Sequence, residues 1–131
     1  MADRTRSHLM KAQELEAQIC ADLLPSLQIT QAQDAAEHAA FRAILFGMSI
    51  RRIGDHRLDQ IARANQDHLK DVWPRLEPLL DDYEWLWERR NEARYNHIDI
   101  GSFSDPPITP DMLMRAKSIV RGLIQIAESL V

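Results

Sequence analysis

Residues 109–130 read TPDMLMRAKSIVRGLIQIAESL, and this stretch decides the fold. Thr109 carries the hydroxyl of an N-cap, and Pro110 suits the first helical position, where its missing N–H goes unused. Asp111 then lies against the positive end of the helix dipole. Behind them Leu113, Ala116, Val120, Leu123, Ala127 and Leu130 recur at steps of three and four, which puts them on one face of a helix that docks along its whole length.

The same period runs backward through the chain, and strand-like alternation is nearly absent. The expected fold class is all-α, an up-and-down bundle of four to five helices. A first helix is expected from about Ser7 to Leu24, closed by Pro25 and followed by a linker PSLQITQAQ. A second starts near Gln31 or Asp34 and carries DAAEHAAFRAILFGMSIRRI. Alanines on one side of it and Phe41, Ile44, Leu45 and Met48 on the other make it the most buried helix. Gly54 and Asp55 stop it and start a third helical region, HRLDQIARANQDHLKDV. Pro74 and Pro78 blur the junction that follows, because each removes a backbone donor and disfavours helix just before it. From Pro78 a fourth helix should run through LLDDYEWLWERRNEARYNH, ahead of a loop IDIGSFSDPPI.

Composition narrows the function classes. A chain of 131 residues is long enough for one sizeable core, so a single helical domain is expected over 1–131. The formal charge of −4 argues against a general electrostatic nucleic-acid binder but leaves room for a local basic pocket. No uncharged apolar run reaches eighteen residues, and the N-terminus lacks an uninterrupted apolar segment, so no membrane association and a cytoplasmic location are expected. The single cysteine, Cys20, is expected to pack inertly beside the apolar face of the first helix. The five histidines lack metal-ligand spacing, and there is neither a glycine-rich phosphate loop nor a serine in a nucleophile elbow. No metal and no cofactor are expected.

The fourth helix holds the candidate chemistry. Steps of three and four from Val72 pass through Leu76, Leu79, Tyr83, Leu86, Arg90, Ala93 and His97, so an apolar stripe turns cationic without leaving its side. Arg90 and His97, seven apart, project within about 20° of each other and about 10 Å apart along the axis. A guanidinium on a core-facing line needs partners. Three readings stand open. The helix could emerge from the bundle so that the arginines reach water; Arg90 could pair with a buried carboxylate such as Glu37; or the stripe could line a cleft or two-fold interface that receives an anion. In the third, arginine supplies a fixed fork for phosphate oxygens and histidine exchanges protons near neutrality, the parts needed for RNA cleavage without a metal. Trp85, about 200° around the helix from Tyr83, is expected to face outward or into a partner.

These residues resemble the HEPN superfamily of small helical bundles, whose hallmark is an arginine, often followed by asparagine, and then a histidine after four to six intervening residues. Arg90-Asn91 and His97 are similar, with NEARYN between them. DAAEHAAFRAIL resembles the family's second helix, with Glu37 and Arg42 at family-like positions, and the likeness spans about 30–131. The resemblance implies metal-independent endoribonuclease activity of a toxin or defence type at a homodimer interface. Arg90, His97 and Asn91 would be catalytic, with Arg94 and Tyr95 binding the RNA substrate. Other members imply an alternative, a non-catalytic nucleotide-binding or antitoxin-like module, with a cognate antitoxin or a nucleotidyltransferase as partner.

Overall fold

A computed structural model describes residues 5–50, 53–95 and 108–130, with the backbone alone at 93–95. Four long helices dominate: α1 (Arg6–Ala17), α2 (Pro25–Met48), and, after a broken connection, α6 (Leu80–Tyr95) and α7 (Pro110–Ser129). The connection contains α3 (Leu58–Ala64), α4 (Gln66–Leu69) and α5 (Trp73–Leu76), with single 3-10 turns at Lys70–Val72 and Glu77–Leu79. Among the described residues there is no strand, as expected of an all-α chain.

Side-chain pairings give the direction of each helix. His8 meets His38 and Gln31 reaches the Leu15 carbonyl, so α1 and α2 run antiparallel. Arg90 lies near Asp34, and Arg115 reaches Asp82, which carries the alternation through α6 to α7. Glu16 with Arg121 then closes α7 onto α1. The order is up, down, up, down.

The bundle centres on α2. Ala32, Ala35, Ala36, Ala39, Ala40 and Ala43 are all buried, and side chains this small let neighbouring helices approach closely around its circumference. Ile29, Ile44 and Leu45 add bulk at its two ends. Leu80, Tyr83 and Leu86 of α6 and Ala116, Val120, Leu123 and Ala127 of α7 complete the core. The last helix is built as expected: the Thr109 hydroxyl accepts from the Met112 N–H at 3.2 Å, and Pro110 occupies the first turn.

Other boundaries differ from expectation. α1 ends at Ala17, and Pro25 opens α2 instead of closing α1, so PSLQITQAQ is helical. Leu24 is held extended (φ −56°, ψ 145°), as the residue before a proline prefers, and the break therefore falls ahead of Pro25. Cys20 consequently lies past the end of α1 and is exposed, not packed against a helix face. The third region is not one helix. It breaks at Asn65, whose side chain turns back to the Ile61 carbonyl, and again at Lys70, where φ is +54°.

The last turn of α2 sits tightly on that second break. A β-carbon on Gly47 would lie 3.1 Å from a Val72 methyl and 3.3 Å from the Leu69 carbonyl oxygen, so only glycine fits without displacement. α2 then ends in a Schellman turn: Ile50 N–H donates to the Leu45 carbonyl and Ser49 N–H to that of Phe46, with Ser49 left-handed at φ 56°, ψ 34°.

Candidate functional site

Along α2, Gln33, Asp34, Glu37 and His38 recur at steps of three and four, forming one polar stripe that ends at Phe41 on an otherwise alanine-rich helix. α6 lays Tyr83, Trp87 and Arg90 near it. Arg90 is largely withdrawn from water, its side chain 14 % exposed. Its guanidinium sits 5.3 Å from the centroid of the Trp87 ring, one turn back on the same helix. The nearest carboxylate is Asp34 at 4.0 Å, a loose approach, and the buried Nε of Arg90 has no hydrogen-bond partner among the described residues. Of the three readings of the cationic stripe, simple emergence into solvent therefore does not describe Arg90. Asp34 stands where Glu37 was considered as its partner.

Glu37 is engaged elsewhere. Its buried carboxylate meets Nδ1 of His56, an exposed imidazole from the segment between α2 and α3. A carboxylate can only accept, so the imidazole donates from Nδ1, and a neutral His56 then keeps a lone pair on Nε2. The phenol of Tyr83 lies at the middle of the cluster, donating to the His56 carbonyl at 2.9 Å. Burial first, then the nearby charges of Glu37 and Asp59, drive its ionisation far above the usual phenol range, while Gln33 and Arg90 oppose that shift. Tyr83 is therefore a permanent donor at physiological pH. The Gln33 amide lies near enough to bear on Tyr83, yet neither of its buried polar atoms completes a well-formed hydrogen bond among the described residues.

Asp59, fully buried at the start of α3, fixes the neighbouring wall. Arg57 grips it with two bonds of 3.1 and 3.0 Å, and Arg63 bridges onward to Asp81 and Glu84 of α6. The fork from Asp59 keeps Arg57 protonated beyond its already high range.

The other expected site residues divide. Asn91 is half-buried on α6 next to Arg90. Arg94 and Tyr95 belong to the last turn of α6; their side chains, and the whole of His97, lie outside the described residues. Arg42 holds the fold together instead of lining the site. Its guanidinium is buried and donates to the Ala127 and Leu130 carbonyls at 2.8 and 2.9 Å and to the Thr5 hydroxyl at 3.0 Å, capping the end of α7. Trp85 does not point freely outward. It packs against the core, with the Arg115 guanidinium of α7 4.2 Å from its ring centroid and Arg89 at 5.8 Å.

Spacing within one helix gave no warning of a histidine pair beside this cluster. Nδ1 of His8 and Nδ1 of His38 are 3.0 Å apart across the α1–α2 interface, stacked beside Phe41, which in turn meets the edge of His56. The signal available was the α2 stripe itself; the partners come from other segments. Among the described residues no three His, Cys, Asp or Glu side chains converge as a metal-ligand set. None of their helices is long and apolar enough to cross a membrane.

Compared with protein-family models, with curated proteins and with solved structures, the chain finds no match.

Proposed function

We propose that the chain is a HEPN-like, metal-independent endoribonuclease that acts as a homodimer. Arg90 holds the scissile phosphate, His97 transfers the proton, Asn91 steadies one of them, and Arg94 and Tyr95 contact the RNA. In this chemistry a base removes the 2′-hydroxyl proton, the oxygen attacks phosphorus, and the departing 5′-oxygen is protonated. The products are a 2′,3′-cyclic phosphate and a 5′-hydroxyl. The observation that supports this reading is the condition of Arg90: a desolvated guanidinium whose only nearby carboxylate is 4.0 Å away and whose Nε–H is unclaimed among the described residues. Such a group keeps donors for a phosphate and strengthens its hold through desolvation. The Arg90-Asn91 and His97 pattern supplies the remaining support.

The same guanidinium would serve a module that binds a nucleotide without cleaving it, whether antitoxin-like or paired with a nucleotidyltransferase. Incubating purified wild type, Arg90→Ala and His97→Ala with structured and unstructured RNA in EDTA separates the two. Cleavage by wild type is expected, with losses on the order of 100-fold or more in each variant. Binding that needs Arg90 but tolerates His97→Ala, without cleavage, would transfer the case to the nucleotide-binding module. Absence of any cleavage by wild type removes the nuclease reading.

A further inference from the structure

A cavity of about 500 Å³ opens where the end of α2, the α4–α5 break and the end of α7 meet. It is separate from the Arg90 site: Asp34 and Phe46 are twelve residues apart on one helix, about 18 Å along its axis. Its volume is in the range of small-molecule sites, commonly about 300–1,000 Å³.

Three features of its wall are unusual together. Phe46, Leu69, Val72 and Leu130 present apolar surface. Ser49 and Lys70, the two non-glycine residues with left-handed φ among those described, both belong to the lining. Backbone held in such regions costs about 1–3 kcal/mol per residue in general and gathers at ligand-binding places. Finally, Lys70 and Arg75 line the cavity without an ion pair among the described residues. Arg57, Arg63, Arg89, Arg115 and Arg121, by contrast, each lie within 4.0 Å of a carboxylate. Among the described residues Asp71 is the one acid of the lining and pairs with neither cation, so the described side chains of the lining carry one net positive charge. The α7 carbonyls that would repel an anion at Ala127 and Leu130 are already taken by Arg42.

We propose that this cavity binds a small amphiphile with an apolar tail and a single carboxylate head, the tail lying on Phe46, Leu69 and Val72 and the head between Lys70 and Arg75. One net positive charge matches one carboxylate, and the apolar surface supplies the burial that a free inorganic anion would not use.

Calorimetric titration with octanoate tests this, using octylamine as the same tail with the opposite head charge. The variants are Arg75→Gln and the double variant Lys70→Gly, Arg75→Gln; the glycine relieves the backbone at 70, so loss of binding would not come from misfolding. Saturable one-site binding of octanoate is expected, weaker by roughly tenfold in the double variant and for octylamine. No saturable binding of octanoate, equal binding of octylamine, or unchanged affinity in both variants would each overturn the proposal.

Discussion

Serine at position 49 occupies a backbone geometry that its β-carbon resists. Left-handed φ costs a non-glycine residue roughly 1–2 kcal/mol, while glycine in the unfolded chain carries an entropic penalty of roughly 0.4–1 kcal/mol. The helix end itself is fully formed, because both Schellman hydrogen bonds are made through the backbone and need nothing from the serine side chain. Ser49→Gly should therefore raise stability by about 0.5–1 kcal/mol, read as a higher urea midpoint at unchanged slope. A lower midpoint would show that the hydroxyl contributes something the backbone geometry does not reveal. At this scale Thr109 was the easy case and Ser49 the hard one. An N-cap is announced by side chains, whereas a left-handed turn made by serine lacks the glycine that normally marks it.

At the scale of elements, periodicity located α7 and the alanine-rich α2 but misplaced the α1–α2 corner. Proline both excludes helix at the residue before it and favours the first turn of a new one, so Pro25 reads equally as a stop or a start. Here it is a start: Leu24 is extended and α2 runs from Pro25, while Gln31 meets Leu15 of the antiparallel α1 and Gln18 just past its end. That register also brings His8 against His38. Their 3.0 Å approach allows one shared hydrogen at most between two neutral rings, and a second proton would set like charges face to face. Burial lowers both pKa values from the ordinary 6.5; for His38, charge on His8 and Lys11 adds to that effect and Asp34 opposes it. The unfolded chain thus takes up protons at a pH where the folded one has not. The stability contributed is full above about pH 6.5 and is withdrawn as pH falls below it through the lowered folded values. Denaturation of wild type should show a smaller midpoint at about pH 5.5 than at about pH 7.5, and the His8→Gln, His38→Gln double variant should show a flatter dependence. Parallel profiles for the two proteins would mean that other groups carry the acid sensitivity.

For the whole molecule, the all-α order was legible because amphipathic stripes and short connections leave few ways to pack long helices. The site was legible only on one side. The stripe on α6 correctly turned Arg90 toward the bundle, but a stripe does not encode the axial register between helices, and so Asp34, not Glu37, stands beside it. The pairing of Glu37 with His56 depends on a segment with no periodicity to read. Arg42 shows how far such register matters. From the C-terminal third of the bundle's central helix it ties Thr5, ahead of α1, to the closing carbonyls of α7, joining three elements through one 2 %-exposed residue. Arg42→Met keeps much of the apolar stem but leaves the Ala127 carbonyl without this donor, and removing a charged hydrogen-bond partner from a buried site costs roughly 3 kcal/mol or more. Lysine would retain charge without the planar fork that spans three acceptors, so Arg42→Lys should recover only part of the loss. Because the residue links elements that pack on one core, the loss should appear as a lower midpoint of a single cooperative transition seen alike by helical circular dichroism and tryptophan fluorescence. Two separated transitions, with α7 melting ahead of the remainder, would instead show that Arg42 secures only the end of that helix and that the bundle holds without it.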